Sequence, residues 1–152
     1  MTLTQKETTF LNDLKSQEQL CIKKYGKYSG EAHDPQLREL FSRLKSTEEK
    51  HLDTLTQILG GSEITMPDKS PSAVDCKLTC QPSNLPENEK QEDGFLCKDA
   101  LTMEKHVSSV YDTSVFEFSN PVLRNTLAHI QKEEQNHGEM LYNYLSCNNM
   151  YS

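Results

Sequence analysis

Six side chains in this sequence have the types and spacing to bind metal. Glu48 and His51 lie three positions apart, as do Glu134 and His137, so each pair would share one face of a helix. Glu18 and Glu104 stand at apolar seam positions of two further helical stretches. The set offers oxygen and nitrogen but no thiolate, which suits iron or manganese and also accepts zinc. Gathered in one core without a cation, four carboxylates would incur heavy desolvation costs or take up protons. Two divalent ions would restore neutrality. The same residues also fit a polar network that specifies a bundle, or the relic of a former metal site.

Helices must carry these residues, and the periodicity supplies four. Residues from about 4 to 32 and from about 35 to 59 repeat with a helical period, split at "HDPQ", where Asp34 suits an N-cap and Pro35 the first helical position. Helical signal resumes near Asp93, breaks at "SNPV" with Asn120 and Pro121 in the same roles, and runs to about Leu145. Thr4 with Glu7 reads as a capping box at the start. Between Leu59 and Asp93 the glycines, prolines and polar residues predict a long crossover, with residues 62–90 more mobile and protease-sensitive than any helix.

An internal repeat ties the helices together. Laying residues 14–59 on 100–145, at an offset of 86 without gaps, matches Glu18 to Glu104, Tyr25 to Tyr111 and Glu31 to Glu117. It also matches Pro35, Leu37 and Arg38 to Pro121, Leu123 and Arg124, and Glu48, His51, Leu55 and Leu59 to Glu134, His137, Leu141 and Leu145. The expected fold is all-α, a four-helix bundle made of two copies of one hairpin in a single domain over residues 1–152. Hairpin one spans about 4–59, the crossover about 60–92 and hairpin two about 93–145. Each glutamate pair is centred on its own turn, about 15 residues away, so both sit roughly 22 Å from it at mid-bundle.

One Glu from each of two helices plus a Glu-x-x-His from each of the other two is the ligand pattern of ferritin-like di-metal carboxylate proteins. The chain resembles that superfamily across all four helices. Within it, "EKHVSSVYDTSVFEF" (104–118) and "HIQKEEQNHGEMLYNYL" (129–145) look most like the spore coat F-type proteins of endospore-forming bacteria. The resemblance implies two divalent ions held by Glu18, Glu48, His51, Glu104, Glu134 and His137, with Glu18 and Glu104 as bridging candidates. It also implies that Tyr25 and Tyr111 hydrogen-bond ligand carboxylates; the alternative is two amphipathic core tyrosines. Rubrerythrin-type peroxidase chemistry is disfavoured, because Val107 stands where many rubrerythrins place an extra glutamate and no rubredoxin-like cysteine quartet is present.

Other residues are expected to play lesser parts. His33, His106 and His129 read as surface histidines, Glu49 and Glu133 as solvated, and Glu31 and Glu117 as hairpin-turn contacts. The five cysteines lack paired knuckles and read as mostly reduced thiols, although Cys76 and Cys80 could oxidise together or bind metal weakly. Acidic residues exceed basic ones, 23 to 16, with no basic cluster, so neither nucleic acid nor a membrane is an expected partner. With no secretory or transit segment at its start, the chain is expected to be made in the cytoplasm. Two functions follow. One is a structural or protective protein of the spore coat that holds a di-metal site and contacts other coat proteins, with a homo-oligomer open. The other is a di-iron or di-manganese oxidoreductase acting on peroxide, dioxygen or ferrous ion.

Overall fold

The computed structural model describes residues 1–65 and 79–151. Four helices follow in chain order: α1 (Gln5–Glu31), α2 (Pro35–Leu59), α3 (Glu87–Val115) and α4 (Pro121–Cys147). They form an all-α four-helix bundle in which α1 pairs with α2 and α3 with α4, and the two hairpins meet through α1–α3 and α2–α4 contacts.

The termini follow from local chemistry. The Thr4 hydroxyl accepts from Glu7 N and the Glu7 carboxylate accepts from Thr4 N, closing the capping box. Asp34 and Asn120 each accept from the backbone N–H of the second residue of the following helix, and Pro35 and Pro121 occupy positions where no donor is needed. Gly60 ends α2, and Gly61 follows at φ 79, a left-handed conformation that glycine adopts without steric cost.

α3 begins at Glu87, ahead of the expected start near Asp93. Its first turns, "ENEKQE", lack apolar periodicity and Pro86 provides no side-chain cap, so the sequence carried little start signal; Glu87 and Glu89 instead complement the positive end of the helix. The crossover is correspondingly shorter. Its last residues are pinned, since Gln36 Nε2 donates to Gln81 O at 2.8 Å and Asn148 Oδ1 accepts from Ser83 N at 2.9 Å. The remainder of the expected mobile segment, residues 66–78, lies outside the described residues.

Cys80 and Cys147 are joined by a disulfide, which corrects the reading of the cysteines as mostly reduced. Sequence spacing could not reveal it, because the pairing requires the crossover to fold back against the end of α4. Cys21 and Cys97 are free and buried, and Cys76 lies outside the described residues.

The seams close as their spacing dictates. Leu11, Leu14, Cys21 and Tyr25 of α1, Leu37, Phe41, Leu44, Leu55 and Ile58 of α2, and Leu123, Leu127, Ile130 and Leu141 of α4 are all buried. The ends are held by a pair of related contacts. Buried Asp93 on α3 accepts from His33 N and Asp34 N, both at 2.8 Å, while Glu7 on α1 accepts from Ser119 N at 3.4 Å. Each turn is therefore held by a carboxylate of the opposite hairpin.

Candidate metal centre

All six expected residues lie in the core, each at most 3% exposed, at the mid-height of the bundle. Their neighbours on the same helical stripes are apolar, among them Leu14, Cys21, Leu44, Leu101, Val107 and Ile130. The packing that buries those apolar side chains therefore carries the polar ones inside.

Both imidazoles turn Nδ1 inward. His51 Nδ1 lies 3.0 Å from Glu48 Oε2, 3.1 Å from Glu134 Oε1 and 3.6 Å from Glu18 Oε1. His137 Nδ1 lies 3.0 Å from Glu48 Oε1, 3.3 Å from Glu104 Oε1 and 3.4 Å from Glu134 Oε2. The rings stack with centroids 6.0 Å apart.

The donors fall into two overlapping groups. Glu18, Glu48, His51 and Glu134 bring ligand atoms within 4.8 Å of one another, and so do Glu48, Glu104, Glu134 and His137. Glu48 and Glu134 belong to both. They are the bridging candidates, whereas Glu18 and Glu104 each serve one group, the reverse of the sequence expectation.

Tyr25 donates to Glu104 Oε1, and Tyr111 donates to Glu18 Oε1. Each fully buried tyrosine thus reaches the carboxylate of the other hairpin. Val107 is also fully buried, and the symmetry-related position holds Cys21, so neither site gains a further carboxylate there.

The electrostatics describe a cluster short of positive charge. Burial pushes the Glu18 carboxyl up to about 8, with the Glu48 charge adding to burial and the His51 hydrogen bond opposing it. Burial also raises Glu104, and together with the charges of Glu104 and Glu48 it raises Glu134 well above the usual range. Glu48 behaves oppositely: burial alone would raise it, but hydrogen bonds from His137 and His51 hold it well below. Burial opposes charge on both imidazoles, yet the surrounding carboxylates, Glu133 foremost for His51 and Glu104 for His137, carry both well above their ordinary pKa. Protons thus supply the charge that cations would otherwise bring.

Protonation still leaves the cluster incompletely satisfied. Glu18 Oε2, Glu104 Oε2 and Glu134 Oε2 are buried and have no hydrogen-bond partner. Native interiors rarely leave buried oxygens unpaired, at about 1–3 kcal/mol each. Three orphaned acceptors within one set of oxygen and nitrogen donors fit divalent cations, so the buried acidic and histidine cluster could hold metal.

Glu133 departs from expectation. It is half-buried rather than solvated, with Oε2 at 2.9 Å from His51 Nε2 and Oε1 at 2.7 Å from His129 Nε2. His129 is correspondingly half-buried. The i,i+4 spacing of His129 and Glu133 was the available signal, but contact with His51 depends on how α4 rotates against α2. Glu49 is exposed beside Lys45, and His106 is exposed as expected. Glu31 pairs with Lys27 on its own helix, and Glu117 with Lys6 across the bundle end.

A groove of about 550 Å³ lies over Glu104 and Glu134 between α3 and α4, walled by Leu101, Gly138, Tyr142 and Tyr151. Tyr142 and Tyr151 meet edge to face at 5.0 Å. Among the described residues, no helix is long and apolar enough to cross a membrane.

No curated protein and no solved structure matches the chain. The likeness to the ferritin-like superfamily rests on the ligand pattern and the paired hairpins alone. The family model of the Coat F domain matches residues 92–152, which hold nearly all of α3, the whole of α4 and the tail, with Glu104, Tyr111, Glu133, Glu134 and His137 among them. Over that stretch the chain resembles the spore coat F-type proteins.

Proposed function

We propose that this chain is a spore coat protein whose single ferritin-like domain holds two divalent ions, iron or manganese, with zinc also accommodated. Its role is structural or protective, its partners are other coat proteins, and it is made in the cytoplasm before assembly into the coat. The observation that carries the metal reading is the pair of overlapping donor groups with three orphaned carboxylate oxygens. The Coat F match carries the assignment to the coat.

Glu18, Glu48, His51 and Glu134 would hold one ion, and Glu48, Glu104, Glu134 and His137 the other. When bound, such ions supply Lewis acidity and, if redox-active, electron exchange; they also stabilise the fold that holds them. The chain's own contribution is to keep both Nδ1 atoms facing inward, to exclude water and to fix Glu18 and Glu104 through Tyr111 and Tyr25.

A second reading is an oxidoreductase acting on peroxide, dioxygen or ferrous ion. The apolar groove against Glu104 and Glu134 favours it, since a small molecule would need a route to the centre. Metal analysis of protein purified without chelator, followed by turnover assays with peroxide and ferrous ion, tests both readings. About two ions per chain with negligible turnover supports the structural role, and enzyme-like turnover supports the oxidoreductase. Less than one ion per chain, with equal melting temperatures with and without metal, overturns both.

A further inference from the structure

The two halves of the centre share their donors but not their support. Glu133 accepts from His51 Nε2 at 2.9 Å, and its other oxygen is held at 2.7 Å by His129 Nε2. A carboxylate of this kind accepts hydrogen bonds, so the contact places hydrogen on His51 Nε2 and fixes which ring nitrogen faces the glutamates. Nothing comparable holds His137. Its polar contacts all run from Nδ1 into the centre, and among the described residues no side chain hydrogen-bonds its Nε2.

The repeat shows why. At the offset of 86, Glu133 corresponds to Thr47 and His129 to Arg43. The Thr47 hydroxyl donates within its own helix, to Arg43 O at 3.5 Å, and is too short to cross the α2–α4 seam. Substitution at a single turn of helix has therefore given one imidazole a carboxylate partner and left the other without one.

We propose that Glu133 is a positioning residue that makes the His51 position the tighter of two metal positions, with the His137 position the weaker. The inference rests on the di-metal reading, and what it adds is the order of filling. An imidazole already oriented by an outer carboxylate loses less freedom on ligation and is a stronger donor at Nδ1. Such outer partners typically change metal affinity by about 10–100-fold. His129 holds Glu133 in place from the far side and leaves the pair at the protein surface.

Manganese(II) titration of variants that keep one position each provides the test. His137→Ala retains the His51 position, and His51→Ala retains the His137 position. The first should bind its ion about 10–100-fold more tightly than the second. Adding Glu133→Ala to His137→Ala should remove that advantage, and adding Thr47→Glu to His51→Ala should recover much of it. Because either histidine variant could fail to fold, Thr47→Glu is also made alone and followed through two stepwise constants. Repulsion between the two ions is common to parent and variant, so a narrower gap between the constants, by about tenfold or more, reports the His137 position itself. Equal affinities of the two histidine variants, a Glu133→Ala change that weakens both positions alike, or an unchanged gap in Thr47→Glu would overturn the inference and leave the di-metal reading standing. A parent that takes up no manganese(II) would overturn both.

Discussion

Hairpin one and hairpin two place the same donors at the same heights, yet they differ in what surrounds them. Both contribute one lone glutamate, one Glu-x-x-His and one tyrosine that reaches the opposite hairpin. Around those shared positions the chemistry diverges: at the offset of 86, Cys21 corresponds to Val107, Arg43 to His129 and Thr47 to Glu133. The caps diverge for a readable reason. Asp34 accepts from Gln36 N and also from the Tyr144 hydroxyl across the bundle, whereas Asn120 caps Val122 N, and the position equivalent to Tyr144 is Ile58. The symmetric residues include every donor of the buried cluster together with the turn and seam positions that place it. Glu133 and Asp34, among the asymmetric ones, each have a partner that the other hairpin lacks.

The largest expected effect breaks the symmetry at the shared carboxylates. Glu48 and Glu134 belong to both donor groups, whereas Glu18 and Glu104 belong to one each. Glu48→Ala or Glu134→Ala should therefore reduce the content from about two ions to well below one, and Glu18→Ala or Glu104→Ala should leave about one. Metal analysis after gel filtration reads the difference. If Glu18→Ala emptied the protein as fully as Glu48→Ala, the division into shared and private ligands would be wrong.

Acidity should then separate the metal-free from the metal-bound protein. The Glu18 pKa is raised to about 8 in the folded state, so its contribution is complete below the unfolded value and is lost as pH rises toward 8. Raised Glu104, Glu134, His51 and His137 act in the same direction, their contributions fading as pH climbs through each folded pKa. Glu48, and Glu133 beside His51, oppose them, their contributions fading below the ordinary carboxylate range. In chelator the melting temperature should fall from about pH 5 to about pH 8, and the gain on adding manganese(II) should widen over the same span as protons compete less. A gain that shrank with rising pH would contradict the charge assignment.

Much of this architecture was legible in the sequence, for physical reasons. Seam residues such as Leu37, Phe41, Glu48, His51 and Leu55 share one helical stripe, so periodicity alone placed the polar pair inside with the apolar ones. Asp34 with Pro35 and Asn120 with Pro121 marked two helix starts through their caps. Features that depend on one helix rotating against another were not legible. Glu133 occupies a stripe beside the seam, and only the α2–α4 geometry brings it to His51. Glu7 and Asp93 lie at the same offset of 86 but ahead of the stretches 14–59 and 100–145 over which the repeat is legible, and one is Glu where the other is Asp. The start of α3 and the Cys80–Cys147 bond depend on the crossover returning to the bundle, which no local pattern records.

That bond offers the next comparison, since hairpin one has no covalent tie of this kind among the described residues. The disulfide closes a sequence separation of 67 residues, which in the chain-entropy view corresponds to about 4 kcal/mol of stability. Cys147→Ser, or reduction of the parent, should lower the melting temperature by roughly 10 °C. Hydrogen exchange should accelerate first at the end of α4, around Ser83 and at the start of α2 where Gln36 holds Gln81, with the rest of α2 changing only at global unfolding. Uniform acceleration across both hairpins would mean that the bond fastens the whole bundle and not one end of it.

The smallest expected effect compares the two carboxylates that hold the turns. Asp93 is fully buried and accepts from His33 N and Asp34 N, both at 2.8 Å, so Asp93→Ala strands two backbone donors at once. At about 1.5 kcal/mol or more per charge-assisted bond, the loss should be about 3 kcal/mol. Glu7 reaches Ser119 N at 3.4 Å, near the limit of a useful hydrogen bond, and its firmer contact is the 2.8 Å bond from Thr4 N in the capping box. Glu7→Ala should therefore cost about 1 kcal/mol, most of it from the cap. Urea denaturation of both variants measures the two losses, and exchange at Ser119 and His33 N–H locates them. A larger loss for Glu7 than for Asp93 would show that the bundle depends more on the start of α1 than on the clasp between α3 and the first turn.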